Sequence, residues 1–432
     1  MRAADGHTIR GYKQPRKSIV ACIHGSCNRP QGRRSRPPAE RFSSPLPPRA
    51  RFLCDLCVKT SSPRFQPPLL GAPRVTSREL SCDVPSPSSP RISVIVLNCN
   101  GRPWLPGCLD ALAAQAAAPS FEVIVVDNGS SDGSAAFVAS AYPDVRVIAL
   151  DANAGFAGGN NAGARAARGE WLAFLNNDTI ADSAWLARLD AAASARPAYS
   201  LVASRIVFLH DPDRIDSAGD GYFRAGGAFK TGHGRRAGEF AASAEVFGAC
   251  GAAFLIRRGL FTALGGFDER FFMVYEDVDL SYRARLAGHR CWYAADAIVR
   301  HAGSGTLGAV SANAVFYGQR NLEWTWLKNT PRPLLLRTAL PHVLYSLSGI
   351  LHYARAGLAG AAIRGKWAAV AGARPVLKDR RMVQAAAVGD VDVEPWMERR
   401  WLAAKRREKT YDAGRRRAVS ATPRVPPSRS SS

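Results

Sequence analysis

Four short, largely apolar runs, each followed at once by Asn or Asp, constrain this chain more than any other feature. They are Ile92–Leu97, Glu122–Val126, Val145–Leu150 and Trp171–Leu175. Continuous apolar runs of this length fit strands buried on both faces. Between the first two lies Leu105–Ala118, an Ala/Leu-rich helical pattern. Strands alternating with helices predict an α/β domain around a mainly parallel sheet. In such sheets ligands gather beyond the carboxyl ends of the strands. Here three of those ends read Asn98-Cys99-Asn100, Asp127-Asn128-Gly129 and Asn176-Asn177-Asp178. Asn, Asp and Gly also make ordinary turns, which accounts for any one tip; three together predict a site at that edge.

Charge locates the rest. The 432 residues carry a net +23, but residues 91–330 sum to −1, while 1–90 carry +11 and 331–432 carry +13. A near-neutral body with basic ends predicts no specific nucleic-acid binding by the body. Residues 1–90 hold 14 of the 28 prolines and keep no periodicity, so a disordered Pro/Arg/Ser-rich extension is expected there, or a start of translation nearer residue 84. Cys54-x-x-Cys57 is half of a zinc pattern, without a matching second half. Nine scattered cysteines predict free thiols. With no apolar leader after the first basic residues, a cytoplasmic protein is expected.

Further motifs follow in order: Asn153-Ala-Gly-Phe-Ala-Gly-Gly-Asn160, Leu175-Asn-Asn-Asp-Thr179, Gly248-Ala-Cys-Gly251, Gly265-Gly-Phe-Asp268, Glu276-Asp-Val-Asp279 and His301. With Val94–Asn98 and Val123–Asp132, this set resembles family 2 of the inverting glycosyltransferases, over about residues 92–329. The sub-type is similar to bacterial rhamnosyltransferase-like members that build cell-surface polysaccharides. The resemblance implies a GT-A (Rossmann-like) fold for residues 91–330. It also implies transfer of a sugar, rhamnose from dTDP-rhamnose or a hexose from a UDP-sugar, to a glycan or lipid-linked glycan acceptor.

The residue chemistry points the same way. A nucleotide-diphosphate leaving group needs its charge neutralised, and Mg2+ or Mn2+ held by oxygen ligands does this. Asp178 at a strand end is the natural ligand. The family usually has Asp-x-Asp here; with Asn176 one carboxylate becomes a neutral amide, so weaker metal binding is expected. His301, after the apolar run Trp292–Val299, is the further ligand that the resemblance implies. Glu276, Asp277 and Asp279 open a helix over Val278–Ala287, where acids also suit the helix dipole. An inverting displacement needs one carboxylate to take the acceptor proton. The resemblance assigns that to Asp277, with Glu276 and Asp279 orienting it. It assigns the nucleotide-sugar to Asn98, Asn100, Asp127, Asn128, Asn153, Gly155, Asn160 and Asn177. Asp127 in particular is to accept from the base N3–H of uracil or thymine. Asn153–Gly163 is expected to bring backbone close to the nucleotide.

Two rival readings stay open: a non-catalytic scaffold of the same fold, and a dinucleotide-dependent oxidoreductase. The latter rests on Gly303-Ser-Gly305-Thr-Leu-Gly308, with Glu323 as its acid. Residues 338–354 contain no Asp, Glu, Lys or Arg. At 17 residues this gap is short of the ~20 that span a membrane. Flanked by basic residues, 331–400 predicts either a helical element on an anionic membrane surface or a helical subdomain packed on the body. Residues 401–432 read as a disordered basic tail.

Overall fold

The computed structural model of the protein describes residues 89–303, 311–389, 392–406, 408 and 411. The cysteine pair at 54 and 57, and the glycine pattern beyond Gly303, lie outside the described residues. The chain runs β1 (Ile92–Asn98), α1 (Leu105–Ala113), β2 (Phe121–Asn128), α2 (Ser134–Ala141), β3 (Arg146–Leu150), α3 (Gly155–Ala166) and β4 (Trp171–Asn176). It continues with β5 (Thr179–Ala181), α4 (Trp185–Ala195), β6 (Tyr199–Phe208), β7 (Asp211–Ser217), β8 (Asp220–Phe223), β9 (Ala228–Lys230), β10 (Ala244–Val246) and β11 (Ala253–Arg257). After these come α5 (Arg258–Ala263), α6 (Glu276–Leu286), β12 (Arg290–His301), α7 (Ala312–Asn329), α8 (Arg332–Arg355), α9 (Ala359–Ala371), α10 (Ala373–Ala385) and β13 (Met397–Glu398).

The main sheet has the order β10-β12-β6-β11-β4-β1-β2-β3. β1 runs parallel to β2 and β4, with Asn98 opposite Asp127 and Leu97 opposite Asn176. This register sets the polar tips in one row. From β1 the chain winds one way to β2 and β3, then returns on the other side as β4. That reversal opens the crevice where such sheets bind ligands. Beyond β4 the sheet is mixed rather than mainly parallel, because β11 runs antiparallel to both β4 and β6. Running back along β4, it brings Ala252 beside the tip, where its carbonyl accepts from Asn176 N–H.

Both sheet faces are covered, as the unbroken apolar runs require. Val94 and Val96 pack with Leu105, Leu109 and Trp185 on one face, and Ile95 packs with Phe174, Phe254 and Phe267 on the other. The Gly/Asn-rich stretch expected to wrap a nucleotide is instead mostly the helix α3. Its glycines serve packing. A Cβ on Gly159 would lie 2.3 Å from the Leu97 side chain, and one on Gly163 2.5 Å from Ile95. The helix therefore lies against β1 at a distance that only glycine permits.

The C-terminal helices pack on the body. Buried between them, Glu323 accepts from Ser346, binds His342 Nε2 at 2.7 Å and pairs with Lys366. That clamp joins α7, α8 and α9, and it accounts for the acid of the dinucleotide reading. Helix α8 spans 24 residues and passes through Pro341, so it is longer than the 17-residue uncharged gap suggested. Leu334, Thr338 and His342 face inward, whereas Leu336, Leu340, Val343, Leu344, Leu347 and Leu351 are between 51% and 69% exposed. Residues 401–406, which composition assigns to a disordered tail, are helical, and Trp401 meets Tyr345 edge-on at 5.1 Å.

Candidate active site

The strand tips are knitted together before any ligand is considered. Asn98 Nδ2 donates to Asp127 Oδ1 at 3.0 Å and to Ser130 Oγ at 3.2 Å, and its Oδ1 accepts from Asn177 Nδ2 at 2.7 Å. Asn128 Nδ2 donates to Asn153 Oδ1 and to the Gly155 carbonyl, both at 3.0 Å, while its Oδ1 accepts from Ala154 N–H. This holds the turn into α3, where Gly155 sits at φ +76°. Asn100 Oδ1 accepts from Ser131 N–H at 2.7 Å.

These tips border a cavity of about 320 Å³. Asn128, Asn153, Gly155 and Asn177 form part of its wall, as do Asn176, Asp178, Glu276, Asp277 and His301. Asn98, Asn100 and Asp127 stand behind the wall. Asn160 is turned inside α3, donating to the Phe156 carbonyl one helical turn back, so it does not join the site. Of the expected donor-binding set, four line the cavity and three support them.

Opposite the tips, His301 is held between two carboxylates. Its Nε2 lies 3.2 Å from Asp178 Oδ1, and its Nδ1 lies 2.8 Å from Asp216 Oδ2. Burial disfavours the charged ring, but Asp178 and Asp216 outweigh burial and hold its pKa up at about 9. Asp216 also takes Lys230 Nζ on both oxygens at 2.9 Å. Although burial opposes ionisation, Lys230 and the two histidines His233 and His301 keep Asp216 well below the usual carboxylate range.

Helix α6 presents the acids. Asp277 Oδ2 accepts from Gly251 N–H at 2.7 Å, and its Oδ1 accepts from Val278 N–H at 2.8 Å. A second cavity of about 300 Å³ lies on its other side, lined by Asp220, Lys230, Tyr275 and Lys405. Asp277 therefore forms a shared wall. Burial raises its pKa against the pull of those two backbone donors and of Lys230. Asp220 is hydrogen-bonded to it; burial, and then the Asp277 charge, push Asp220 well above the carboxylate range. Two carboxyls so placed disfavour each other's ionisation. Glu276 is raised well above its usual value by burial and then by Asp277, and its Oε2 meets no hydrogen-bond partner.

Asp279 corrects the expectation. Successive helical residues turn by about 100°, so Asp279 points away from Asp277, inward. There it binds Arg283 Nε at 2.8 Å, Lys328 Nζ at 2.7 Å and Asn329 Nδ2 at 2.8 Å. It anchors α6 to α7 and touches neither cavity.

The residues before α6 are strained. Phe272, Val274 and Tyr275 have φ of 63°, 68° and 79°, a region costly for residues with a Cβ and more so for a β-branched one. Asn321, fully buried on α7, fixes them: its Nδ2 donates to the carbonyls of Phe271, Met273 and Val274 at 2.9, 2.9 and 2.7 Å. Strain of this kind persists where the surroundings over-determine it, often at functional sites.

Sequence reasoning missed Asp216, Asp220 and Lys230. All three lie on β7–β9, in a stretch with no motif. The available signal was the acid-rich run Asp211-Pro-Asp-Arg-Ile-Asp216, which is weak alone.

Asp178 and His301 suit a divalent cation such as Mg2+ or Mn2+. Their Oδ1 and Nε2 face the same cavity at the separation of neighbouring ligands, and Asp216 backs the His as carboxylates back metal-bound imidazoles. Two protein ligands leave most of an octahedral shell to diphosphate oxygens and water. Among the described residues, Asp220, Cys250 and Asp277 also bring three ligand atoms within 4.8 Å of one another. The Lys230 ammonium already supplies positive charge there.

Parts of the chain are similar to known proteins. Residues 93–265 match the sequence model of glycosyl transferase family 2. Over that segment the chain is similar to the family. It is 32% identical over 219 residues to the O-antigen biosynthesis protein RfbC of Myxococcus xanthus, covering 48% of this chain and 17% of that protein. It is 28% identical over 202 residues to a PGL/p-HBAD biosynthesis glycosyltransferase of Mycobacterium bovis, covering 45% and 70%. The match thus spans less than a fifth of RfbC. Among solved structures, the mannosyltransferase PcManGT from Pyrobaculum calidifontis in complex with GDP-Man and Mn2+ aligns with a TM-score of 0.43 at 19% identity, over 78% of this chain and 88% of that one.

Proposed function

We propose that this chain is an inverting glycosyltransferase of surface-glycan assembly. It moves a sugar from a dTDP- or UDP-sugar, dTDP-rhamnose among them, to an acceptor hydroxyl. The observation that carries this reading is that Asp277, with Lys230 and Glu276, lines two cavities, one with the Asp178–His301 pair and one with Tyr275 and Lys405. The names of relatives in O-antigen and PGL/p-HBAD biosynthesis support the acceptor class.

The donor diphosphate lies toward Asp178 and His301, and the acceptor enters from the other side. Asp277 takes the hydroxyl proton as the acceptor oxygen bonds to the anomeric carbon. The bond from that carbon to the diphosphate oxygen breaks, and the nucleoside diphosphate departs with the electron pair. Asp178 and His301, with Asn176 beside them, would hold a divalent cation, which when bound would neutralise charge on that leaving group. Because the group leaves as an anion, no second carboxyl has to protonate it. Asp127 uses its two oxygens for Asn98 and Ser130 N–H. A carboxylate has about four acceptor positions, so it retains capacity for the N3–H of uracil or thymine.

The test is transfer from dTDP-rhamnose and from UDP-hexoses with Mn2+ or Mg2+, with and without chelator, beside donor binding by thermal shift. Transfer that chelator abolishes is expected. Donor binding without transfer or donor hydrolysis would favour the non-catalytic scaffold. Turnover unaffected by chelator would remove the metal from the proposal.

Peripheral membrane contact at the inner leaflet belongs to the same proposal. Among the described residues, α8 is the one helix long and apolar enough to cross a membrane. Yet one side of it packs on the body while six large apolar side chains face out. Residues 331–389 carry nine Lys and Arg against one Asp, which suits an anionic surface. Trp367 on α9 is 71% exposed. The full chain is expected to co-sediment with phosphatidylglycerol vesicles. The double variant Leu340→Glu/Leu344→Glu should weaken partitioning on the order of a hundredfold, given the burial energy of two leucines. Equal partitioning of both proteins would refute contact through this face.

A further inference from the structure

Arg214 and Arg236 lie directly opposite each other across an isolated antiparallel bridge. Like charges in that position repel. Arg235 and Arg406 line the same cavity of about 560 Å³, with His233 and Tyr411. The acid in that wall, Glu239, is engaged by Arg235 and by the Arg236 N–H. Arg214 donates to the Gly234 carbonyl at 3.0 Å, and Arg235 lies over the Phe240 ring. Among the described residues, four guanidiniums and one carboxylate line this cavity, drawn together from β7, the turn after β9 and the helical turn at 401–406. Guanidinium does not lose its proton in proteins. The fold therefore holds a repulsive cluster that an anion with two or more charges would relieve, and arginine forks match phosphate oxygens best.

The cavity is also placed to matter. His233 lines both it and the cleft beside Asp277, where Lys405 pairs with Glu408 at 2.7 Å. We infer that this arginine cavity is a phosphate subsite, which takes the diphosphate of a lipid-linked acceptor while the glycan end reaches Asp277. The assignment of the diphosphate to the acceptor rests on the proposed function; the anion site itself does not.

The probe is inorganic pyrophosphate, titrated calorimetrically into the full chain in chelator, so that no divalent cation recruits it to Asp178 and His301. The wild type should bind, and Arg214→Ala/Arg236→Ala should bind at least about tenfold more weakly, as loss of charge-assisted hydrogen bonds implies. Thermal shift with Mn2+ and the donor nucleotide should be unchanged in the variant, showing an intact fold and donor cavity. Equal pyrophosphate binding by both proteins, or none by the wild type, would overturn the site. Polyprenyl diphosphate in phosphatidylcholine vesicles should displace pyrophosphate. Displacement only by phosphatidylglycerol vesicles would assign the cavity to headgroups and overturn the acceptor assignment. Because the titration needs neither donor nor turnover, it succeeds or fails independently of whether Asp277 is the base.

Discussion

Asp277→Asn is expected to lower transfer by about 10²–10⁴-fold, the usual worth of a positioned general base, while donor binding holds. An amide keeps the size of the carboxyl and one of its acceptor oxygens, so Gly251 N–H or Val278 N–H retains a partner. What disappears is the ability to accept a proton. Transfer kinetics beside donor thermal shift would check this, and a variant with wild-type kcat would remove Asp277 from the role. A pH dependence follows with a definite sign. Burial lifts the Asp277 pKa, and the residue acts only when ionised. Activity should therefore fall as pH drops through that raised value, placing the acid limb above the ordinary carboxylate range. Asp220, hydrogen-bonded to Asp277, is pushed up by burial and by the Asp277 charge, in the same direction.

Asn321→Leu is expected to lose stability and activity together, although it lies on a helix outside both cavities. Its amide is the tie that holds Phe271, Met273 and Val274 in place. Each left-handed residue there costs about 1–3 kcal/mol. Each buried carbonyl left without a donor costs about 1–3 kcal/mol more. Without the tie the segment relaxes, and Glu276 and Asp277, which follow it directly, shift with it. A loss of about 2–4 kcal/mol in urea unfolding is expected, with a fall in kcat of at least tenfold. Native stability with native kcat would show that the segment is held by other contacts.

The difference between Asp277 and Asp279 shows how far the sequence could be read. Both lie in one acidic tetrapeptide, and both were natural candidates for the chemistry. Helical rotation separates them, and the partners that meet Asp279, Lys328 and Asn329, lie some fifty residues further on. Asn160 gives the same lesson. Its motif carries the family resemblance, yet within α3 the side chain bonds its own backbone. The strand tips were easier, since apolar runs ending in polar residues mark both a buried sheet and its functional edge.

By itself, then, the sequence determined the alternating α/β body, the row of polar strand ends, the single carboxylate at Asn176-Asn177-Asp178 and the acidic opening of α6. Those are local properties of composition and period. Tertiary structure alone decided which acid faces which cavity, that Asp216 backs His301 and binds Lys230, and that Asp220 meets Asp277. It also decided that the glycines of α3 serve packing and that four arginines meet in one cavity. Each of these depends on side chains from separate strands arriving at one place. Spacing along the chain carries no record of such meetings.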